Sequence, residues 1–162
     1  MHRALIVGGG PAGAAAALTL AKMGVDHLLI ERTAEPADPL CGGFLSWRTL
    51  AQLERFGVDG PTLNRALITG LRLTWRDRTA HARLPQPARC VSRRWLDQLL
   101  LRRAERAGAR IARGVTARVW EDGAIRTDDG AVLATDALFL ATGKHDLRGL
   151  ATGLAAALVA GA

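Results

Sequence analysis

The sequence of 162 residues has no tyrosine and few other aromatic residues, with four tryptophans and three phenylalanines. It is also poor in lysine, since Lys22 and Lys144 are the only two among 22 basic residues. Basic residues exceed the 15 acidic ones, and the net charge of +7 is typical of nucleic-acid or membrane-surface binders. However, there is no run of five like charges, and no aromatic residues are interleaved with the arginines to stack on bases. We therefore expect no nucleic-acid partner, and expect some arginines to bind a phosphate-bearing ligand.

The only two cysteines, Cys41 and Cys90, lie 49 residues apart. This spacing matches neither a zinc-binding pattern nor a Cys-x-x-Cys redox pair, so the sequence predicts no metal site. A disulfide between them is feasible in principle, but nothing else indicates export. We interpret each cysteine as a small buried apolar residue and expect a cytoplasmic location.

A long uncharged apolar stretch occurs only near the N-terminus, over residues 4–21. Such a start resembles a signal peptide, but the glycines and the proline within residues 8–13 make a poor membrane helix. The last residues, 151–162, are also uncharged but too few to cross a bilayer. The sequence therefore predicts no transmembrane segment.

Hydrophobic periodicity at the N-terminus predicts an α/β fold. Residues 3–7 form a short apolar strand, residues 12–23 form a helix that ends at Gly24, and residues 25–31 contain a second apolar strand. A parallel pair of strands joined by a helix requires a right-handed crossover. Residues 137–141 predict a further buried strand, so the parallel sheet would be assembled from both ends of the chain.

Two more helices are predicted in the middle of the chain. The first covers residues 46–56, with Ser46 as its N-cap and Gly57 as its end. The second covers residues 93–107 and begins after Ser92, which caps it.

Turns and hairpins surround these helices. A turn is predicted at Gly60-Pro61, and residues 71–76 alternate as a half-buried strand. Residues 79–84 would pair with that strand, and the prolines at positions 85 and 87 would end the pairing. Two Asp-Gly dipeptides predict a small antiparallel meander over residues 115–134.

The pattern Gly8-x-Gly10-x-x-Gly13 joins the first predicted strand to the first helix. Here Gly8 permits a tight turn, Gly10 lets a pyrophosphate approach the backbone, and Gly13 lets the helix pack closely. The helix N-terminus offers free N–H groups to the phosphates. Glu31, which ends the second strand, would accept hydrogen bonds from an adenosine ribose and repel a 2′-phosphate. A glycine-rich turn without a ligand is the alternative, but strand, helix and acid together favour a bound dinucleotide.

Residues 3–150 resemble the family of FAD-dependent oxidoreductases that includes aromatic-ring hydroxylases, flavin halogenases and geranylgeranyl reductases. Five motifs in the family's order carry this resemblance. They are Val7-Gly8-Gly9-Gly10-Pro11-Ala12-Gly13 with Glu31-Arg32, Cys41-Gly42-Gly43, Ser92-Arg93-x-x-Leu96-Asp97-x-x-Leu100, Gly114-Val115, and Leu140-Ala141-Thr142-Gly143. The resemblance implies FAD rather than NAD, held by a Rossmann-like FAD-binding domain: α/β, with a parallel sheet, helices and a small antiparallel β-meander.

The resemblance also implies where each motif meets the cofactor. Glu31 would hold the adenosine ribose, Arg32 would lie by the adenine, and the backbone of Val115 would face the adenine edge. The Cys41-Gly42-Gly43 loop would pass the ribityl chain and flavin ring, as in the reductase branch. The expected cofactor-binding residues are Gly8, Gly10, Pro11, Ala12, Gly13, Glu31, Arg32, Cys41, Gly42, Gly43, Arg93, Val115, Thr142 and Gly143.

Departures from the family pattern concern the chemistry. Hydroxylases usually have Asp-Gly where this chain has Thr142-Gly143, which weakens a transfer of their NADPH-linked behaviour. The family's later Gly-Asp motif and substrate domain do not occur in these 162 residues. We therefore expect an incomplete FAD-binding domain over residues 1–150 and an atypical apolar tail over residues 151–162.

The resemblance implies a flavin-dependent reductase or monooxygenase for a small organic substrate, with NAD(P)H as a candidate electron donor of the intact enzyme. A partner chain would supply the substrate half. The alternatives are a non-catalytic FAD-binding module and an inactive truncated gene product. The sequence assigns no catalytic residue.

Three positions have two interpretations each. Cys41 could donate a proton near the flavin, but we favour a small residue that fits its loop. Arg93 could be a solvated arginine at a helix start, but we favour a contact with the cofactor, because a positive charge at a helix N-terminus is otherwise unfavourable; the adjacent Arg94 is the residue most easily confused with it. His145 beside Asp146 suggests acid–base chemistry, but adjacent residues do not pair on one surface, so we favour a solvated loop.

Overall fold

The computed structural model describes residues 2–144 and 147–150. These residues contain four helices and ten strands. In chain order they are β1 (Ala4–Val7), α1 (Pro11–Lys22), β2 (His27–Glu31), β3 (Phe44–Leu45), α2 (Trp47–Arg55), α3 (Gly60–Leu63), β4 (Ile68–Trp75), β5 (Arg78–Cys90), α4 (Arg93–Arg106), β6 (Arg110–Arg113), β7 (Ala117–Glu121), β8 (Ala124–Thr127), β9 (Val132–Ala134) and β10 (Leu138–Leu140). The chain divides into two compact units, the first with residues up to 37 and from 97 onward, the second with residues 38–96.

A four-stranded parallel sheet forms the centre of the first unit, in the order β10-β1-β2-β6. Leu5 pairs with Leu138 on one side and with Leu28 on the other, so both ends of the chain contribute neighbouring strands. Leu5, Ile6 and Leu29 are fully buried, as expected for strands that are covered on both faces. The predicted α/β fold is confirmed.

Strand β10 lies at one edge of this sheet. The prediction of a buried strand holds for Leu138, but Phe139 and Leu140 are 38% and 37% exposed. Their exposure follows from the edge position, since no described strand covers the outer side of β10.

Helix α1 follows β1 directly, as the glycine pattern predicts. Gly10 is its N-cap and Pro11 its first residue, where the missing N–H of proline costs no hydrogen bond. The helix ends at Lys22 with Met23 as its C-cap, and Gly24 adopts a φ of +68° that favours glycine. Small side chains, Ala14 and Ala17, are buried and let the helix lie close to the sheet.

The antiparallel meander β7-β8-β9 is also confirmed. Asp122 and Gly123 both have positive φ, as the two central residues of a type I′ hairpin turn require. Ile125 of β8 is fully buried and belongs to one core cluster with Leu5 and Val7 of the parallel sheet.

In the second unit, α2 begins as expected. Ser46 is its N-cap and accepts a hydrogen bond from the Thr49 N–H, and Gly57 follows the helix with a φ of +73°. The prediction of a turn at Gly60-Pro61 was wrong. These residues open the short helix α3, because Asp59 caps it by accepting the Thr62 N–H and proline suits a first helical turn.

Strand β5 continues through Pro85 and Pro87, so the prediction that these prolines end the pairing was wrong. Gly70 pairs with Arg83 but Ile68 pairs with Ala88, so the register shifts between these pairs. Residues 84–87, with both prolines, fall in this irregularity, where no ladder hydrogen bond requires their N–H groups.

Strand β4 is exposed rather than half-buried, which was the third error. Leu71, Leu73 and Trp75 are 46%, 61% and 73% exposed. The alternating pattern correctly indicated a two-faced strand, but no described element covers its apolar face.

The cysteines were also misjudged, since both Cys41 and Cys90 are exposed. Cys41 lies in the loop before β3, and Cys90 ends β5 beside that two-residue strand, which is too short to cover it.

Some predictions concern residues outside the description, namely His145, Asp146 and the apolar tail at 151–162. None of the helices in the described ranges has the length and hydrophobicity that crossing a bilayer needs. Over residues 2–144 and 147–150, no group of three or more His, Cys, Asp and Glu side chains could hold a metal ion.

Candidate functional site

The predicted site residues of the first unit converge at the carboxyl edge of the parallel sheet. Gly8 follows β1, Arg32 follows β2, Gly114 follows β6 and Ala141 follows β10. Because all four strands are parallel, these loops meet at the same edge. Open parallel sheets bind their ligands at this edge.

The turn between β1 and α1 packs directly on the segment after β10. Gly8 has a φ of +110°, and a β-carbon there would lie 2.3 Å from the carbonyl oxygen of Ala141. The N–H of Ala141 donates to the Val7 oxygen at 2.9 Å. Thr142 follows immediately, so two motifs more than 120 residues apart in sequence are neighbours.

Gly13 holds the start of α1 against the same turn. A β-carbon at this position would lie 1.8 Å from the Gly8 carbonyl oxygen and 3.3 Å from the Ala141 side chain. Only glycine fits such an approach.

The first turn of α1 is open to an anion. No side chain caps Gly10, and no acidic residue lies in the first turn. The N–H groups of this turn and the positive end of the helix dipole therefore have no compensating acceptor within the helix. The side chain of Ala12 is exposed, and Pro11 is partly exposed.

Glu31 is fixed at the end of β2 by two backbone donors. The Gly9 N–H donates to Oε2 at 2.5 Å, and the Thr33 N–H donates to Oε1 at 2.8 Å. Burial alone would raise the pKa of Glu31, but these hydrogen bonds outweigh it and hold the pKa below its ordinary value. The carboxylate is therefore ionised at neutral pH, and its remaining lone pairs can accept further hydrogen bonds.

Gly9 is a site residue that the sequence reasoning missed, because the motif leaves its position open. A β-carbon on Gly9 would lie 3.1 Å from Cβ and Cγ of Glu31. The absence of a side chain at residue 9 thus lets Glu31 reach the N–H of the turn.

The loops after β2 and β6 adjoin each other. The Val115 N–H donates to the carbonyl oxygen of Glu31 at 3.1 Å, and the Arg32 side chain is exposed. Arg113, which pairs in register with Glu31, places Nη1 3.5 Å from the carbonyl oxygens of Thr33 and Ala34. Arg113 was also missed, since its only sequence signal is that it ends β6.

Four further predicted residues lie in the second unit. The Gly43 N–H donates to Cys41 Sγ at 3.4 Å, and the Cys90 thiol donates to the Gly42 oxygen at 3.7 Å. Gly43 has a φ of +69°, and a β-carbon there would lie 2.5 Å from the Val91 oxygen. Gly42 has no neighbour within 4 Å of such a position, so its small size has no packing reason.

The fourth of these residues, Arg93, opens α4 and is partly buried, whereas Arg94 is exposed. Asp38 organises this helix start: its Oδ1 accepts from the Ser92 hydroxyl at 2.7 Å and from the Arg94 N–H at 2.8 Å. The Arg94 N–H is the main reason why the pKa of Asp38 lies below its ordinary value, followed by the Ser92 hydroxyl. The Trp95 N–H donates to Ser92 Oγ, which is the predicted N-cap contact. The role of Asp38 was missed because its partners are more than 50 residues away.

The residues of the first unit fit the adenosine and pyrophosphate part of a dinucleotide. Its turn has glycines where β-carbons would clash, its helix N-terminus has no side-chain cap, and its carboxylate is held ionised beside it. These are the features that phosphate and ribose groups require.

A family model described as "FAD binding domain" matches residues 1–148. Among curated proteins, the menaquinone reductase of Mycobacterium tuberculosis is 33% identical over 118 residues, which cover 70% of this chain and 29% of that protein. The chloroplastic geranylgeranyl diphosphate reductase of Arabidopsis thaliana is 32% identical over 118 residues, which cover 70% of this chain and 24% of that protein.

Among solved structures, a geranylgeranyl bacteriochlorophyll reductase-like protein from Thermoplasma acidophilum has the same fold. The TM-score is 0.72 at 24% identity, over 86% of this chain and 38% of that one. The chain thus spans well under half the length of these similar proteins.

Proposed function

Because this chain belongs to the FAD-binding domain family, within the flavin-dependent reductases and monooxygenases, we propose that it is the FAD-holding part of a flavin-dependent reductase. The observation that carries the proposal is the junction of the β1–α1 glycine turn with Glu31. There an uncapped helix N-terminus and an ionised carboxylate adjoin at the carboxyl edge of the sheet. The free N–H groups suit a pyrophosphate, and the carboxylate suits the hydroxyls of a ribose.

Each predicted site residue of the first unit then has a role in holding the cofactor. The pyrophosphate rests on the first turn of α1, at Gly10, Pro11, Ala12 and Gly13, where the N–H groups are unpaired within the helix. Gly8 shapes the turn that presents them.

The adenosine end lies against the loops after β2 and β6. Glu31 accepts hydrogen bonds from the ribose hydroxyls, and its charge disfavours a 2′-phosphate. Arg32 lies by the adenine, and the Val115 backbone faces the adenine edge. Ala141 packs on the glycine turn, and the turn at Thr142 and Gly143 returns the chain to the cofactor.

We assign Cys41, Gly42 and Gly43 to the approach of the ribityl chain and ring, and Arg93 to a polar contact. The open space around Gly42 supports this assignment, since no protein atom requires a glycine there. Cys41 fits its loop as a small residue.

When bound, FAD supplies the two-electron redox chemistry, and the protein positions the cofactor and excludes side reactions. For the whole enzyme we propose reduction of a polyprenyl substrate. Menaquinone and geranylgeranyl diphosphate, which name the two curated relatives, both carry such a chain. The Cys41-Gly42-Gly43 loop, which resembles that of the reductase branch, favours the reductase, and a monooxygenase is the alternative.

The remaining parts of the proposal concern the setting of the enzyme. NAD(P)H is the electron donor, the location is cytoplasmic, and further polypeptide supplies the substrate half. The similar proteins support the last point, because they are more than twice as long as this chain.

The test is an absorbance spectrum of the purified chain after FAD is added and the excess is removed by gel filtration. Retention of the flavin band at about 450 nm is the expected result. A folded, monodisperse chain without flavin would contradict autonomous FAD binding. Retained flavin that NAD(P)H fails to reduce when the substrate half is present would identify a non-catalytic FAD-binding module, and a chain that neither folds nor binds would identify an inactive gene product.

A further inference from the structure

Strands β4 and β5 form a long ribbon with one uncovered apolar face. Cross-strand pairs place Leu71 with Ala82, Leu73 with Ala80, and Trp75 with Arg78. Alternate side chains of a strand lie on the same face of the sheet, and so do the side chains of paired residues. Leu71, Leu73 and Trp75 therefore form one apolar stripe. All three are more than 40% exposed.

The opposite face of the ribbon is polar and cationic. It carries Arg72 paired with His81, Thr74 paired with Thr79, and Arg83 opposite Gly70. Over residues 68–90 the sequence has five arginines and a single acidic residue, Asp77; Arg72 and Arg83 lie on this face, whereas Arg78 shares the apolar face with Trp75. A partner for this ribbon therefore needs apolar side chains towards one face and acidic side chains towards the other.

The outer edge of β4 is also unpaired among the described strands. The sheet order is β3-β5-β4, so β4 pairs with β5 only. An eight-residue edge strand without proline presents a row of N–H and C=O groups that another strand can pair with.

These features favour polypeptide over other occupants. A bilayer would leave the edge N–H and C=O groups without partners in hydrocarbon. A second copy of the chain would bring two arginine-rich ribbons together, and like charges oppose such pairing. An added strand satisfies the edge, the apolar stripe and the arginines together.

We propose that the outer edge of β4 and the stripe of Leu71, Leu73 and Trp75 are the docking surface for the substrate half of the enzyme. The contacting element is a strand with apolar residues over the stripe and acidic residues beside Arg72. This inference rests on the proposed function, and names where the further polypeptide attaches. The length of the relatives supports it, because more than half of each has no counterpart in this chain.

The test is co-purification with a defined probe. The probe is the part of the M. tuberculosis menaquinone reductase that follows the region matched by this chain, produced with an affinity tag and co-expressed with the chain. The matched segment of that reductase, co-expressed with the same probe, is the positive control. Flavin absorbance is recorded in the same fractions.

Leu73→Asp and Trp75→Asp place a charge on the stripe, whereas Thr79→Asn changes the opposite face of β5 without adding a charge. All three side chains are exposed, so the variants should keep the circular dichroism spectrum of the parent chain. We expect the wild-type chain to co-purify, the stripe variants to lose about tenfold in recovery and Thr79→Asn to stay within about twofold.

Three outcomes would overturn the inference. The first is that the chain fails to co-purify although the positive control succeeds. The second is that the stripe variants and the Thr79 variant are recovered equally. The third is that Leu73→Asp leaves recovery with the probe unchanged but dissociates a dimer of the chain, or releases the chain from vesicles of phosphatidylglycerol and phosphatidylcholine. A chain that retains FAD but fails to dock refutes this inference alone. A chain that docks without retaining FAD contradicts the proposed function and leaves the docking surface intact.

Discussion

The carbonyl oxygen of Gly8 lies 1.8 Å from the position that a β-carbon on residue 13 would occupy. Real atoms do not approach so closely, so Gly13→Ala must push α1 away from the β1–α1 turn. We expect a loss of about 1–3 kcal/mol in the free energy of unfolding, the usual cost of overpacking. FAD retention after gel filtration should fall as well, because the displaced helix start carries the proposed pyrophosphate site.

The matched control is Thr19→Ala on the same helix. Thr19 is exposed and donates only to the Ala15 carbonyl oxygen, so its loss should change stability by less than about 0.5 kcal/mol. Urea unfolding of both variants provides the comparison. A Gly13→Ala variant as stable as Thr19→Ala would show that the turn does not have the close packing described.

Glu31→Gln tests the carboxylate that two N–H groups hold. Glutamine has one acceptor oxygen, so its NH₂ group must face either the Gly9 or the Thr33 donor. We expect a loss of about 1 kcal/mol of stability and weaker FAD binding at neutral pH.

The difference between wild type and Glu31→Gln should also depend on pH. The pKa of Glu31 is lower in the folded chain than its ordinary value of 4.5, so its contribution to stability is complete above that value. It is lost as the pH falls through the lower folded pKa. Unfolding curves at several pH values should therefore converge for the two proteins at acid pH, and a difference that grows on acidification would contradict the assignment.

The parts of the site that could be predicted from the sequence are those with local causes. Gly8 and Gly13 flank a strand–helix junction, where their spacing has one geometric meaning, and Glu31 ends the strand that follows. Gly9, Asp38 and Arg113 could not be found in this way. Each acts on residues more than 20 positions away, and no local pattern indicates such contacts.

The errors in the fold have the same origin. The alternation over Leu71, Leu73 and Trp75 correctly indicates two faces of a strand, but whether a face is covered depends on elements elsewhere. Strand β5 also continues past Pro85, because the register shifts there and pairing resumes between Ile68 of β4 and Ala88 of β5. Propensity alone could not anticipate that irregularity.

Arg93 and Arg94 allow a test in which neighbouring residues serve as each other's control. Arg93 is partly buried and is proposed to contact FAD, whereas the side chain of Arg94 is exposed and only its backbone N–H bonds to Asp38. We expect Arg93→Ala to weaken FAD binding about tenfold, as for the loss of one charged hydrogen bond, and Arg94→Ala to leave it nearly unchanged. Titration of each variant with FAD measures both constants. If both variants weaken FAD binding equally, the positive charge at the helix start, rather than a contact of Arg93, contributes to the binding.

Gly42 and Gly43 separate the requirements of the fold from those of the cofactor. Gly43 has a φ of +69° and a β-carbon there would lie 2.5 Å from the Val91 oxygen, so Gly43→Ala should destabilise the chain by at least about 1 kcal/mol. Gly42 has an ordinary backbone conformation and open space around it, so Gly42→Ala should leave the urea midpoint unchanged. If the flavin end of the cofactor passes this loop, the added methyl group will nevertheless weaken FAD binding. A Gly42→Ala variant that folds and binds FAD like the parent would remove the loop from the proposed site.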